Sequence, residues 1–159
     1  MAIAEVVSSV VMPGGKRSAT VANSGGQEPL PLAMLVDDDA AIAHMYRLGL
    51  EVAGFRVTVL ADPASLFRAI REEVPDVLVL DWQLPGMSGA EALELLRRDE
   101  RTTHLPVLML SNFLGDQNGG VDRAFAAGAL AWLRKSVTPP SVLAERLTEA
   151  LARTRRGPE

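Results

Sequence analysis

From residue 31 onward, short apolar runs alternate with amphipathic stretches. Leu32-Ala-Met-Leu-Val36 is continuously apolar and ends in three aspartates, Asp37, Asp38 and Asp39. It reads as a strand (β1, residues 32–36). Residues 40–53 carry Ile42, Met45, Gly49 and Val52 at helical spacing, which predicts a helix (α1) with that side inward. Gly54 stops it. Residues 55–60 read as a second strand (β2). Asp62-Pro63 opens a helix (α2) with a cap and a first-turn proline, and Leu66, Ile70 and Val74 line one face. Residues 77–80, Val-Leu-Val-Leu, are apolar on both faces, so this third strand (β3) is expected at the sheet centre between helices. Ser88 with Glu91 forms a capping box for a helix through about residue 100 (α3). Residues 107–110 give a fourth strand (β4). A short helix (α4) follows with Val121, Ala124 and Phe125 inward, stopped by Gly128. Residues 129–133 give a fifth strand (β5), and residues 140–153 a last helix (α5) presenting Leu143, Leu147, Ala150 and Leu151. Five strands alternating with five helices imply an α/β fold, with a parallel sheet, right-handed crossovers and helices on both faces.

Residues 1–29 have a different texture. Gly14-Gly15, Gly25-Gly26 and scattered Ser and Thr surround one short apolar cluster between Ile3 and Met12. They are expected to be a flexible N-terminal extension, with the folded domain spanning residues 30–156 and no output domain after it.

Composition narrows the function classes. The 159 residues contain no cysteine, which excludes a disulfide framework, a zinc-cysteine site and a catalytic thiol. A net charge of -4 argues against a dedicated nucleic-acid binder, and aromatics at 4% offer no stacking platform for single strands. No apolar run reaches the length of a membrane span, and Glu5 with no basic residue before Lys16 does not read as a secretory signal. The expectation is a soluble cytoplasmic protein.

In an open parallel α/β sheet, ligands bind beyond the carboxyl ends of the strands. Asp37, Asp38 and Asp39 follow β1, Asp81 follows β3, Ser111 follows β4 and Lys135 ends β5. β2 ends in Leu60, which places it at an edge, away from this polar group. Asp37, Asp38 and Asp81 brought together would repel and raise one another's pKa unless a cation intervenes. Mg²⁺ held by carboxylates with several waters kept resolves that repulsion. A phosphoryl group could then meet the cation, a Lys ammonium and a Ser hydroxyl. A carboxylate such as Asp81 can act as nucleophile and become an acyl phosphate.

The segments Leu35-Val-Asp-Asp38, Asp81-Trp-Gln-Leu-Pro-Gly-Met-Ser-Gly89, Leu110-Ser111 and Ala127-Gly-Ala-Leu-Ala-Trp-Leu-Arg-Lys135 together resemble the receiver domain of two-component response regulators, of the stand-alone, chemotaxis-receiver-like type. The spacings fit: 43 residues from Asp38 to Asp81 and 30 from Asp81 to Ser111. The resemblance implies a flavodoxin-like doubly wound sheet of order 2-1-3-4-5. It implies Asp81 as phosphoacceptor, with Asp37, Asp38 and the backbone carbonyl of Gln83 holding Mg²⁺. Ser111 would bond the phosphoryl group, Lys135 would pair with it, and Trp132 would sit at the aromatic switch position. The phosphoryl donor would be a histidine kinase or a histidine phosphotransfer protein. Arrival of the group would change the α4-β5-α5 surface, for a downstream protein target, a phosphorelay step or a homodimer. Such a domain is a signalling phosphoacceptor and not an enzyme in the usual sense.

Three positions depart from the family pattern. Ser136 follows Lys135 where a proline with a cis bond is usual, which bears on how Lys135 is aimed. The segment from Ser111 to Lys135 is about two residues longer than the family pattern, the excess lying in residues 115–120. Asn112 stands where a small residue is usual. Two other functions compete. A haloacid-dehalogenase-like phosphatase would use Asp37 and Asp39 as its Asp-x-Asp pair, but needs a later acidic pair and a cap that the sequence does not supply. A pseudo-receiver would use the same surface for binding without phosphorylation. Among single residues, Asp39 reads as a helix cap, Trp82 as packing beside the site, and His44 and His104 as surface histidines without metal-ligand partners.

Overall fold

A computed structural model describes residues 26–112 and 119–157. Five parallel strands form one sheet in the order β2-β1-β3-β4-β5, with β1 at Leu32–Val36, β2 at Arg56–Leu60, β3 at Val77–Asp81, β4 at Val107–Ser111 and β5 at Ala131–Arg134. This is the order and the edge position of β2 that the sequence implied. The helices are α1 (Ala40–Val52), α2 (Pro63–Glu72), α3 (Gly89–Arg97), α4 (Gly120–Ala126) and α5 (Pro140–Arg156). A short antiparallel hairpin, Gln83–Leu84 with Met87–Ser88, lies between β3 and α3.

The apolar runs make this architecture because the three central strands have no polar face to give to water. Every residue of β1, β3 and β4 is buried. Alternate residues feed two cores. Met34, Val36, Leu78, Leu80, Val107 and Met109 pack with Leu66 and Ile70 of α2, Leu93 and Leu96 of α3 and Ala124 of α4. On the opposite face, Leu35, Val79, Leu108 and Leu110 pack with Tyr46 and Leu50 of α1 and Leu143 and Leu147 of α5. Each such side chain contributes about 1.5–3 kcal/mol relative to exposure. The caps are those written in the sequence. Asp39 accepts from the amides of Ala41 and Ile42, Asp62 from Ser65, and Ser88 and Glu91 complete a capping box.

The helical faces need correction. α1 buries Ala43, Tyr46 and Leu50, whereas Met45 and Val52 of the expected inward stripe are 45% and 90% exposed. The helix carries two adjacent apolar stripes, and the inward one is selected by Tyr46. Its ring fills the core, and its hydroxyl donates to the carbonyl of Thr138 at 2.7 Å, so that its one polar atom is satisfied. Of the three α4 residues expected inward only Ala124 is fully buried, and Phe125 is 46% exposed. Val74 lies beyond the end of α2 and is exposed. α3 ends at Arg97, earlier than expected, because Thr102 folds back and its hydroxyl donates to the carbonyl of Leu96 at 2.6 Å. β5 begins at Ala131 and runs through Arg134, and α5 continues to Arg156.

Candidate functional site

Register assembles the site. Val36 pairs with Leu80 across β1 and β3, so Asp37 and Asp81 follow at the same sheet end. Asp81 pairs with Leu110, and Ser111 with Arg134, which carries the ends of β4 and β5 to the same edge. Asp37, Asp81 and Ser111 are buried, while Asp38 is exposed at the rim. Ligand oxygens of Asp37, Asp38 and Asp81 all lie within 4.8 Å of one another.

Lys135 is the counter-charge. Its Nζ lies 2.7 Å from Asp37 Oδ2 and 2.8 Å from Asp81 Oδ2, and its side chain is 5% exposed. The Lys135–Ser136 bond is trans, as are all peptide bonds among the described residues. Ser136 in place of proline therefore leaves Lys135 aimed into the acidic cluster, where it donates a hydrogen bond to Asp81. Burial alone would lower the pKa of Lys135, but Asp37 and Asp81 together outweigh it and hold the ammonium above its ordinary value. Asp81 is pushed up, first by burial and further by the charge of Asp37. The contacts with Lys135 and the amide of Gln83, which donates to Asp81 Oδ1 at 3.2 Å, oppose the rise without cancelling it. Two buried carboxylates thus share one cation, with a third acid beside them.

A divalent cation fits this donor set. Asp37 Oδ1 accepts the amide of Asp39 at 2.9 Å, whereas the buried Asp37 Oδ2 faces the Lys135 ammonium at 2.7 Å and, among the described residues, accepts from no other donor. A buried carboxylate oxygen with a lone pair to spare, beside an exposed carboxylate and an undercompensated one, is what hard-cation coordination requires. Asp39 points elsewhere, its carboxylate being used by the first turn of α1.

Two glycines have a role that sequence reading missed. The first is Gly89. A Cβ there would lie 2.5 Å from the carbonyl oxygen of Asp81 and 2.6 Å from Met109 Cε, so glycine lets α3 start directly beneath the site. The signal available was a glycine placed after a complete Ser cap, where no turn demands one. Gly120 plays the same part for α4: a Cβ would meet the Trp82 ring at 2.4 Å and 2.5 Å. Trp82 in turn contacts Trp132 with ring centroids 5.2 Å apart and planes tilted by 52°. The residue after Asp81, the start of α4 and the expected switch aromatic on β5 therefore form one packed group. Asn112 is exposed at the end of β4, and His44 and His104 are exposed. The expectation for the lengthened loop falls, for residues 115–118, outside the described residues.

These features define a class: a doubly wound α/β domain whose strand ends present a carboxylate, an acidic pair, a hydroxyl and a lysine. Residues 33–148 match the response regulator receiver domain, and the chain belongs to that family of two-component signalling phosphoacceptor domains. Over 121 residues it is 34% identical to the phosphate regulon transcriptional regulatory protein PhoB of Pseudomonas aeruginosa, covering 76% of this chain and 52% of that protein. Over 130 residues it is 35% identical to the DNA-binding dual master transcriptional regulator RpaA of a Synechocystis species, covering 82% of this chain and 53% of that protein. The chain thus spans about half the length of these relatives. A CheY-like receiver domain protein from Methanospirillum hungatei superposes with a TM-score of 0.74 at 26% identity, covering 81% of this chain and 99% of that one. No helix among the described residues is long and apolar enough to cross a membrane.

Proposed function

We propose that residues 30–156 work as a cytoplasmic phosphorylation switch in which Asp81 takes a phosphoryl group from a histidine kinase or a histidine phosphotransfer protein. The observation that carries this reading is the sharing of Lys135 Nζ, at 2.7 Å and 2.8 Å, between two buried carboxylates beside a third acid. An Asp81 carboxylate oxygen attacks phosphorus in line. The P–O bond forms as the P–N bond of the phosphohistidine breaks, and the leaving imidazole nitrogen takes a proton from solvent. Asp37, Asp38 and Asp81, with the backbone carbonyl of Gln83, would hold Mg²⁺, which supplies charge neutralisation at the phosphoryl oxygens. Lys135 lies where it can pair with a phosphoryl oxygen in place of the Asp81 carboxylate. Ser111, buried at the end of the neighbouring strand, donates its hydroxyl to another.

Ser111 and Trp132 then act as the switch pair, biasing two packings of the α4-β5-α5 surface toward or away from a protein target, a relay partner or a second copy. The Trp82–Trp132 contact and the seat of α4 on Trp82 supply a packed route from the site to that surface. The phosphatase reading is disfavoured by Asp39, whose carboxylate caps α1 and so does not stand as the second acid of an Asp-x-Asp pair. The test is intact mass after incubation with Mg²⁺ and a small phosphodonor. One phosphoryl group gained, dependent on Mg²⁺ and lost in Asp81→Asn, supports the proposal. No gain favours the pseudo-receiver, and a gain surviving Asp81→Asn returns the nucleophile to Asp37.

A further inference from the structure

Away from the site, α1 and α5 leave an open apolar groove of about 720 Å³ between them, floored by Leu48 and Val52 of α1, by Ala53 just after it and by Ala144 of α5. Leu48 and Val52 belong to the second apolar stripe of α1, which Met45 extends beyond the groove. Met45, Leu48 and Val52 follow one another three and four residues apart and are 45%, 49% and 90% exposed. An apolar stripe running along one helix into a groove is more than scattered surface leucines require. The α5 rim is acidic, with Glu145 and Glu149 beside Thr148.

We propose that this groove is the docking site for the segment Ile3–Met12 of the same chain. The sequence of that segment places Ile3, Val6, Val7, Val10 and Val11 at intervals of three and four, so one side of a helical turn would carry all five, with Glu5, Ser8 and Ser9 on the other. Its apolar period matches the period of the α1 stripe, as helix-in-groove recognition needs. Charge agrees: Lys16 and Arg17 follow the apolar segment, and the groove rim carries Glu145 together with Glu149, which lies 3.6 Å from Arg146. Geometry permits it as well. The described chain begins on the same side of the domain, with Glu28 lying 3.4 Å from Arg155 near the end of α5. Thr148 in the groove is seven residues up that helix from Arg155, about 10 Å along its axis. The 13 residues between Met12 and Gly26 can extend to about 40 Å, several times that distance.

The chain has no cysteine, so a single Ser9→Cys in the full-length protein can carry a nitroxide on the polar side of the segment. Amide NMR signals of α1 residues 48–53 and α5 residues 144–149 should then lose intensity, while those of α2 and α3 on the opposite face keep theirs. The loss should disappear when Val7→Asp and Val10→Asp are added to the labelled protein. Equal intensities on the two faces, or a groove-selective loss that survives the aspartates, would overturn the proposal. So would a groove-selective loss appearing when spin-labelled unenriched protein is mixed with unlabelled enriched protein, because the occupant would then be a second copy.

Discussion

Replacing Lys135 by methionine tests the electrostatic account of the site most directly. Methionine keeps an unbranched side chain of similar length in a position that is 5% exposed, and removes the charge. Asp37 and Asp81 then face each other without their shared cation. Exposed ion pairs are worth about 0–1 kcal/mol, but removing one partner of a buried pair costs about 3–5 kcal/mol, because an uncompensated charge stays behind. The contacts at 2.7 Å and 2.8 Å are both buried, so the larger range applies. The assay is urea unfolding in EDTA at neutral pH, followed by tryptophan fluorescence. Lys135→Met should lose about 3–5 kcal/mol, within the stability of an ordinary domain. Asp81→Asn alone should be neutral or stabilising, because one of two competing carboxylates is gone while Lys135 keeps Asp37. In the Asp81→Asn background, Lys135→Met should cost clearly less, and the difference is the coupling energy of the cycle. Saturating Mg²⁺ should recover part of the loss, since a ligand at 100 times its Kd stabilises by about 2.7 kcal/mol. A Lys135→Met cost below about 1 kcal/mol, or one unchanged by Asp81→Asn, would refute the shared-cation reading.

Four further outcomes follow from the contacts of this domain. Asp81 has its folded pKa raised, so its ionisation is harder in the folded than in the unfolded state. The stabilising effect of Asp81→Asn should be full above that raised value and vanish as pH falls below the ordinary carboxylate pKa, measured as the difference between the two proteins' unfolding free energies across pH. Gly120→Val drives a side chain into the Trp82 ring and should cost about 1–3 kcal/mol in urea unfolding, with a shifted tryptophan emission. Tyr46→Phe strips the 2.7 Å bond to the carbonyl of Thr138 and leaves that buried acceptor unpaired, at about 1–3 kcal/mol in thermal or urea unfolding. Arg97→Ala removes a side chain that donates to the carbonyls of Thr102, Ala127 and Gly128. It should destabilise the α3–α4 region first, seen as faster amide exchange in Ala124 to Ala129.

What the sequence made legible was everything governed by local pattern. Strand runs with no polar face could only be central, caps such as Asp39, Asp62 and Ser88 satisfy amides that helix starts leave unpaired, and a Leu60 strand end without polar residues marked the edge. The acidic cluster was legible for a similar reason, since strand ends in a parallel sheet converge whatever the side chains are. Facing was less so. α1 offers two apolar stripes of similar strength, and only the partner element decides between them. The deciding contact, Tyr46 with Thr138, joins residues 92 apart, a separation no window along the chain can see. Phe125 misled in the same way. A large apolar side chain reads as core, but α4 turns Gly120 and Ala124 inward and leaves Phe125 46% exposed.

The glycines mark the other limit. Gly89 and Gly120 are needed because another element passes close by, not because their own backbone demands it, and close approach is a property of the assembled fold. Both sit against the residues that flank the chemistry. Gly89 faces the carbonyl of Asp81, and Gly120 faces the ring of Trp82. The acids and the lysine could be read from one chain because charge chemistry restricts which residues serve. The packing that ties them to α3 and α4 is carried by residues with no side chain to read. A switch needs both parts: a group whose charge changes, and a neighbour packed tightly enough that the change is felt as displacement and not absorbed. In this domain Gly120 packs on Trp82 and Trp82 on Trp132, and under the proposed function that contact is the second part, through which a change at Asp81 would leave the site.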